Sequence, residues 1–179
     1  MHGSVLAFAD EVLGADQVKG RTVLEAGSYD VNGSVRPLVE RWGPASYIGT
    51  DAQPGPGVDV VCTAEELPER FGQADVVLSA EMLEHAEGWQ AAMRGLIGAL
   101  APGGLLVLTT RSPGFPYHPF PGDFWRFPVP VMRAILECAG LAVERCEPDP
   151  EAPGVFAVAR KPADWSPAFA WDHIEAEAV

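Results

Sequence analysis

The chain has 179 residues, 47% of them hydrophobic, with a mean hydropathy of +0.06; this suits one globular core and leaves little room for a second domain. Lys and Arg number 12 against 25 Asp and Glu, a formal net charge of −13, so no basic stripe is available to neutralise phosphates and nucleic-acid binding is disfavoured. No apolar run approaches the roughly 20 residues of a membrane span, no basic leader opens the chain, and Cys62, Cys138 and Cys146 form no C-x-x-C pair, so a cytoplasmic protein with reduced cysteines is expected.

In chain order, Val5, Phe8, Ala9, Val12 and Leu13 recur at helical spacing and predict a helix over residues 4–19, covering the sheet edge or closing over a ligand. The stretch 22–34, T-V-L-E-A-G-S-Y-D-V-N-G-S, reads as a short buried strand, a polar glycine-containing turn and the start of a helix whose apolar face is Val35, Leu38, Val39 and Trp42. Gly27 lets the backbone approach a ligand, while Asn32, Gly33 and Ser34 offer N-cap chemistry and free N–H groups. A second strand over 46–49 ends at Thr50 and Asp51, and a carboxylate at the tip of strand two is where doubly wound folds grip a ribose diol. Asp51 lies 26 residues after Glu25, close to the spacing of a nucleotide-binding unit. Tyr29 replaces a glycine of G-x-G-x-x-G, however, and Asp30 adds negative charge. Acid there disfavours a pyrophosphate, and with it a dinucleotide oxidoreductase, and favours a ligand carrying an ammonium and a sulfonium such as S-adenosylmethionine.

A proline- and glycine-rich turn at 53–57 precedes a third strand over 58–62, and the fourth strand, 74–79, is a continuous buried-type run. Its carboxyl end carries S-A-E-M-L-E-H, which must face the ligand in an open parallel sheet; His85 there either accepts a proton from a nucleophile or braces the loop. Trp89, Met93, Leu96, Ile97 and Leu100 make one buried helix face, A-P-G-G over 101–104 ends that helix in a turn, and a fifth strand spans 105–110. Residues 111–127, R-S-P-G-F-P-Y-H-P-F-P-G-D-F-W-R-F, are too rich in Pro and Gly to be regular and too aromatic to be a solvated linker. They are predicted to wall the substrate site, with Phe115, Tyr117, Phe120, Phe124 and Trp125 as apolar lining and His118, Asp123 and Arg126 as orienting polar groups. The alternative is a loop packed on itself, with Asp123 and Arg126 as an internal ion pair. A helix over 131–139 and an antiparallel strand pair, 141–146 and 155–159, follow; the tail from Pro162, with Trp165, Phe169 and Trp171, has no clear period and is left to fold back or meet a second subunit as a homodimer.

V-L-E-A-G-S-Y-D-V-N-G-S, Y-I-G-T-D, A-E-E-L-P, A-D-V-V-L-S-A-E-M-L-E-H and L-A-P-G-G-L-L-V-L-T-T occur in the order found in class I S-adenosylmethionine-dependent methyltransferases, and the chain resembles the small-molecule group with an E-H pair after strand four. The resemblance implies one α/β domain, a doubly wound Rossmann-like seven-stranded sheet with strand seven antiparallel: an N-terminal helix in 1–20, a core over 21–161 and a tail over 162–179. It implies S-adenosylmethionine bound by Glu25, Gly27, Ser28, Asp51, Ala52, Ala64, Glu65, Ser79 and Ala80, with Glu65 near the adenine and Glu66 as helix-start acid. His85 and His118 are the candidate bases, and Tyr117, His118, Asp123, Trp125 and Arg126 the candidate acceptor contacts. His118, Asp123 and Glu84 lack any metal-ligand spacing, so no metal is expected. The implied reaction is O- or N-methylation of a small molecule; a silent cofactor-binding subunit, or methylation of a protein or glycan, are the alternatives.

Overall fold

The computed structural model describes residues 2–171 and 173–179. The chain runs through α1 (Gly3–Val12), α2 (Ala15–Val18), β1 (Thr22–Ala26), α3 (Arg36–Glu40), β2 (Ser46–Asp51), β3 (Val60–Val61), α4 (Leu67–Phe71), β4 (Ala74–Ala80), α5 (Trp89–Gly98), β5 (Leu100–Arg111), β6 (Trp125–Arg126), α6 (Val129–Cys138), β7 (Ala142–Pro148), β8 (Gly154–Arg160) and β9 (Glu177–Ala178). Seven strands form one sheet in the order β3-β2-β1-β4-β5-β8-β7. From β3 to β5 neighbours run parallel, with Leu24 opposite Ile48 and Val77, and Val77 opposite Leu106; β8 runs antiparallel to β5 and β7, placing Val158 against Val107. This is the doubly wound, Rossmann-like seven-stranded topology that the sequence predicts.

Strand alternation divides the core between the sheet's two faces. Leu24, Val77, Leu106 and Leu108 face α5 and α6, whose buried sides carry Trp89, Met93, Leu96, Ile135 and Leu136. Val23, Val76, Leu78, Leu105 and Val107 face the other way, against Val5 and Phe8 of α1 and Val39 of α3. A helix covers each face because both sides of a central parallel strand are apolar and must be taken from water.

Two stretches depart from the sequence reading, and the tail takes the first of the two courses left open for it. The N-terminal helix breaks at Leu13 and Gly14 into α1 and α2. The A-P-G-G segment belongs to β5, which opens at Leu100 opposite Ala74 and reaches its regular register only after an irregularity between Ala74 and Val76. The tail docks on its own domain: Trp171 is 2% exposed and packs against Trp89 at 5.7 Å, and β9 pairs antiparallel with β6, Trp125 opposite Ala178. The indole N–H of Trp165 donates to the Ala139 carbonyl (2.7 Å) and that of Trp171 to the Ile135 carbonyl (2.9 Å), so the tail supplies donors to the C-terminal end of α6. Among the described residues no helix is long and apolar enough to cross a membrane.

Candidate active site

Strands β3, β2, β1, β4 and β5 end on one edge of the sheet, and the connections leaving those ends enclose a cavity of about 580 Å³. Ligands of doubly wound sheets sit outside the carboxyl ends of the strands, where loops to opposite faces part. Gly27 follows β1 with φ 83°, and a Cβ there would lie 2.5 Å from Met82 Cβ, so only glycine lets the turn cross this close to the loop after β4. The N–H groups of Gly27 and Ser28 both donate to the Thr50 carbonyl (2.8 and 2.9 Å), tying the turn to the end of β2. Asp51 sits beside it on the cavity wall, oriented by the Gln53 N–H at 2.9 Å. Below lies the 3₁₀ turn 64–66, closed by a capping box in which Glu66 accepts the Thr63 N–H at 2.8 Å. Helix α5 presses on that turn backbone to backbone: a Cβ on Gly95 would meet the Ala64 oxygen at 2.0 Å.

The other end of the cavity is built from the loop after β4 and the aromatic stretch after β5. Glu81 adopts a left-handed φ of 58° and its carboxylate pairs with Arg111, which is 1% exposed, bonds Asp149 at 3.1 Å and lies 4.3 Å from the centre of the Phe115 ring. Glu84 is fully buried; the Thr110 hydroxyl donates to its Oε2 at 2.7 Å, and Oε1 has no hydrogen-bond partner among the described residues. Burial pushes the Glu84 carboxyl well above its ordinary range. His85 meets the Gly122 carbonyl through Nδ1. His118 donates its backbone N–H to Asp123 Oδ2 at 2.8 Å, and its Nδ1 lies 3.0 Å from the same oxygen. Burial would raise Asp123, but hydrogen bonds from Arg126 (2.7 Å) and from the His118 N–H outweigh it and hold the carboxyl at about 2. The His85 and His118 rings stand edge to face at 4.8 Å, and Phe115 meets His118 at 5.1 Å.

A family model described as a methyltransferase domain matches residues 4–137. The chain belongs to that family. Its cofactor is S-adenosylmethionine, and the cavity suits it: Asp51 at the tip of β2 and Glu65 on the turn 64–66 put carboxylates on the wall, the chemistry that a cationic ligand with a ribose diol needs. No curated protein matches the chain in sequence. Among solved structures, a chain of the complex between the Haloferax volcanii Trm112 methyltransferase activator and a putative methyltransferase is similar at a TM-score of 0.71 and 17% identity, covering 92% of this chain and 91% of that one. An S-adenosylmethionine-dependent methyltransferase from Mesorhizobium loti gives 0.66 and 17% over 89% and 98%, and one from Aquifex aeolicus 0.66 and 16% over 89% and 93%. At these identities the likeness is one of fold.

Within this methyltransferase domain, Gly27, Asp51, Ala52, Ala64, Glu65 and Ala80 line the cavity, whereas Glu25, Ser28 and Ser79 lie behind it. Strand alternation is the reason for Glu25: Ala26 faces the cavity, so its neighbour points to the opposite side, where the Tyr47 hydroxyl donates to it and burial lifts its carboxyl to about 7. The N–H of Gly33 is also engaged, by Asp30 Oδ1 at 2.7 Å, and the helix begins later than expected, at Arg36. His85 and His118 both line the cavity. Of the other residues expected to touch the acceptor, Tyr117 is 64% exposed and off the wall, the Trp125 indole donates to the Glu87 carbonyl at 3.0 Å, and Asp123 and Arg126 form the internal pair. Phe115 and Phe120, expected as apolar lining, do line the site, with Pro121 beside them. Sequence reasoning placed Glu81 and Met82 in the loop that must face the ligand and Arg111 at the start of the substrate wall, but did not single them out as site residues. A charged residue closing the apolar run of β5 is the one signal that pointed to Arg111, and the E-M-L-E-H run holds the other two without marking how the backbone turns there.

Proposed function

We propose that the domain methylates a small acceptor through a hydroxyl or amine, with His118 as the base that takes the acceptor's proton. The observation that carries this reading is the Asp123–His118 contact of 3.0 Å on the cavity wall: a carboxylate held ionised by Arg126 fixes the proton on Nδ1 and leaves Nε2 to accept another. Bound S-adenosylmethionine supplies a methyl group already activated by its sulfonium. The chain's own residues have the remaining tasks: Asp51 and Glu65 hold the cofactor, Phe115 and Phe120 exclude water and seat an apolar acceptor, and His85 borders the same space as His118. The E-H pair at Glu84 and His85 and this aromatic wall favour the small-molecule group over a protein or glycan acceptor. The three free cysteines suit a reducing, cytoplasmic setting.

The test is transfer from methyl-labelled S-adenosylmethionine to panels of small phenols, alcohols and amines, with peptides and oligosaccharides alongside. Transfer to members of the small panel is expected, and His118→Gln should lower kcat by about 10²–10⁴ while binding S-adenosylhomocysteine as the parent does. Transfer confined to peptides or oligosaccharides would contradict the acceptor class, and an unchanged rate in the variant would contradict the base.

A further inference from the structure

We propose that Glu84, His85 and His118 form a site for one divalent transition-metal ion at the acceptor end of the cavity. One donor atom from each residue lies within 4.8 Å of the others, and all three residues line the cavity. Chain separation hides the set from the sequence, because Glu84 and His85 lie on the 3₁₀ turn 83–85 while His118 is brought back by the aromatic loop. The Phe124 N–H, donating to the Glu84 carbonyl at 2.9 Å, clips the two segments together.

Each member is prepared for a cation. Glu84 Oε1 is buried and has no hydrogen-bond partner among the described residues, and shut from water in this way the carboxyl keeps a negative charge only when a cation reaches it. His85 Nδ1 faces a carbonyl oxygen, that of Gly122, so that nitrogen carries the proton and Nε2 keeps its lone pair. His118 Nδ1 faces Asp123 Oδ2 at 3.0 Å and the Pro116 carbonyl at 3.2 Å, with the same result. A carboxylate behind an imidazole fixes the tautomer and raises the basicity of the nitrogen left free, the usual support for a metal-ligating histidine. Two imidazoles and one carboxylate suit zinc, cobalt or ferrous iron better than magnesium or calcium, which take oxygen ligands. Three protein ligands leave a coordination position for an acceptor oxygen, so in the loaded site His118 Nε2 is a ligand and the ion takes over from it the task of acidifying the acceptor; this role for the ion, though not the site itself, rests on the methyltransferase reading.

The experiment is calorimetric and visible-absorption titration of the full chain, stripped with a chelator, with Co²⁺ alone, and a separate titration with S-adenosylhomocysteine. One equivalent of Co²⁺ should bind. His118→Ala and Glu84→Gln should each weaken it by about tenfold or more, whereas His173→Ala, at an exposed position, should leave it unchanged. Retained S-adenosylhomocysteine binding certifies that each variant is folded, and His118→Ala alters a loop side chain still 34% exposed, so it decides the matter if Glu84→Gln does not fold. Absence of stoichiometric binding, or binding indifferent to His118→Ala, overturns the site; if S-adenosylhomocysteine binds in that case, the methyltransferase reading stands without the metal. Co²⁺ bound through these residues by a chain that ignores S-adenosylhomocysteine would uphold the site and sink that reading.

Discussion

Glu25 is a carboxyl group whose protonation is tied to folding. Burial outweighs the hydrogen bond from Tyr47 and lifts it from 4.5 to about 7. A raised folded-state value means that the native chain holds the proton more tightly than the unfolded chain does. Its contribution to stability is therefore complete below the unfolded value and is lost as the pH climbs through 7, by about 3 kcal/mol in all. Denaturant unfolding of the ligand-free chain at pH 5 and pH 8 should show the parent losing about that much relative to Glu25→Gln; equal slopes in the two proteins would contradict the assignment. Asp123 has the opposite sign. Held at about 2 against an ordinary 3.8, its contribution is present above the ordinary value and is lost only as the pH falls through 2, so the Asp123–His118 pair keeps its negative member throughout the neutral range. Neither behaviour is legible in the sequence. The V-L-E-A-G motif marks Glu25 as part of a nucleotide-binding unit but is silent on which face of β1 it occupies, and D-F-W-R leaves open whether Asp123 meets Arg126 or a ligand.

At the level of elements, the cofactor wall depends on a helix that touches nothing in the cavity except at its edge. Gly95 of α5 sits so close to the 64–66 turn that an added methyl would meet the Ala64 oxygen at 2.0 Å, a backbone atom that yields only if the turn moves. Gly95→Ala is expected to destabilise the fold by about 1–3 kcal/mol and to weaken S-adenosylhomocysteine binding as Ala64 and Glu65 are displaced; thermal unfolding and calorimetry read the two effects, and a variant as stable as the parent would refute the contact. The tail is the second such element. Trp171 is wedged beside Trp89 and Phe169, so Trp171→Ala should cost about 3–5 kcal/mol, with amide exchange rising in β9 and β6; loss of less than 1 kcal/mol would mean that the tail is dispensable. The strands were readable because their V-V-L and L-L-V-L runs leave no other use for so much β-branched and aliphatic surface. The tail was not, because its aromatics are spaced to reach α6 and α5 in space and follow no period along the chain.

The whole molecule is acidic, and carboxylates line the cavity at the edge of the sheet where, on the proposed reading, a sulfonium and an ammonium are held. Topology, the strand-end location of the site and the carboxylate at the tip of β2 were all legible, since each follows from strand order and from residues adjacent in sequence. The acceptor end was legible only in outline: the aromatic loop was recognisable as a wall, yet which of its residues face inward depends on the Asp123–Arg126 pair, the β6–β9 pairing and the Trp125 indole bond, all of them set by contacts distant in sequence. The most direct test of the account is calorimetric titration of the chain with S-adenosylhomocysteine, repeated on Asp51→Ala. Binding to the parent with a loss of about tenfold or more in the variant is predicted, because the ribose diol loses a charged acceptor. Equal affinity in the two proteins would contradict the placement of the cofactor, and no binding to the parent would contradict the account as a whole.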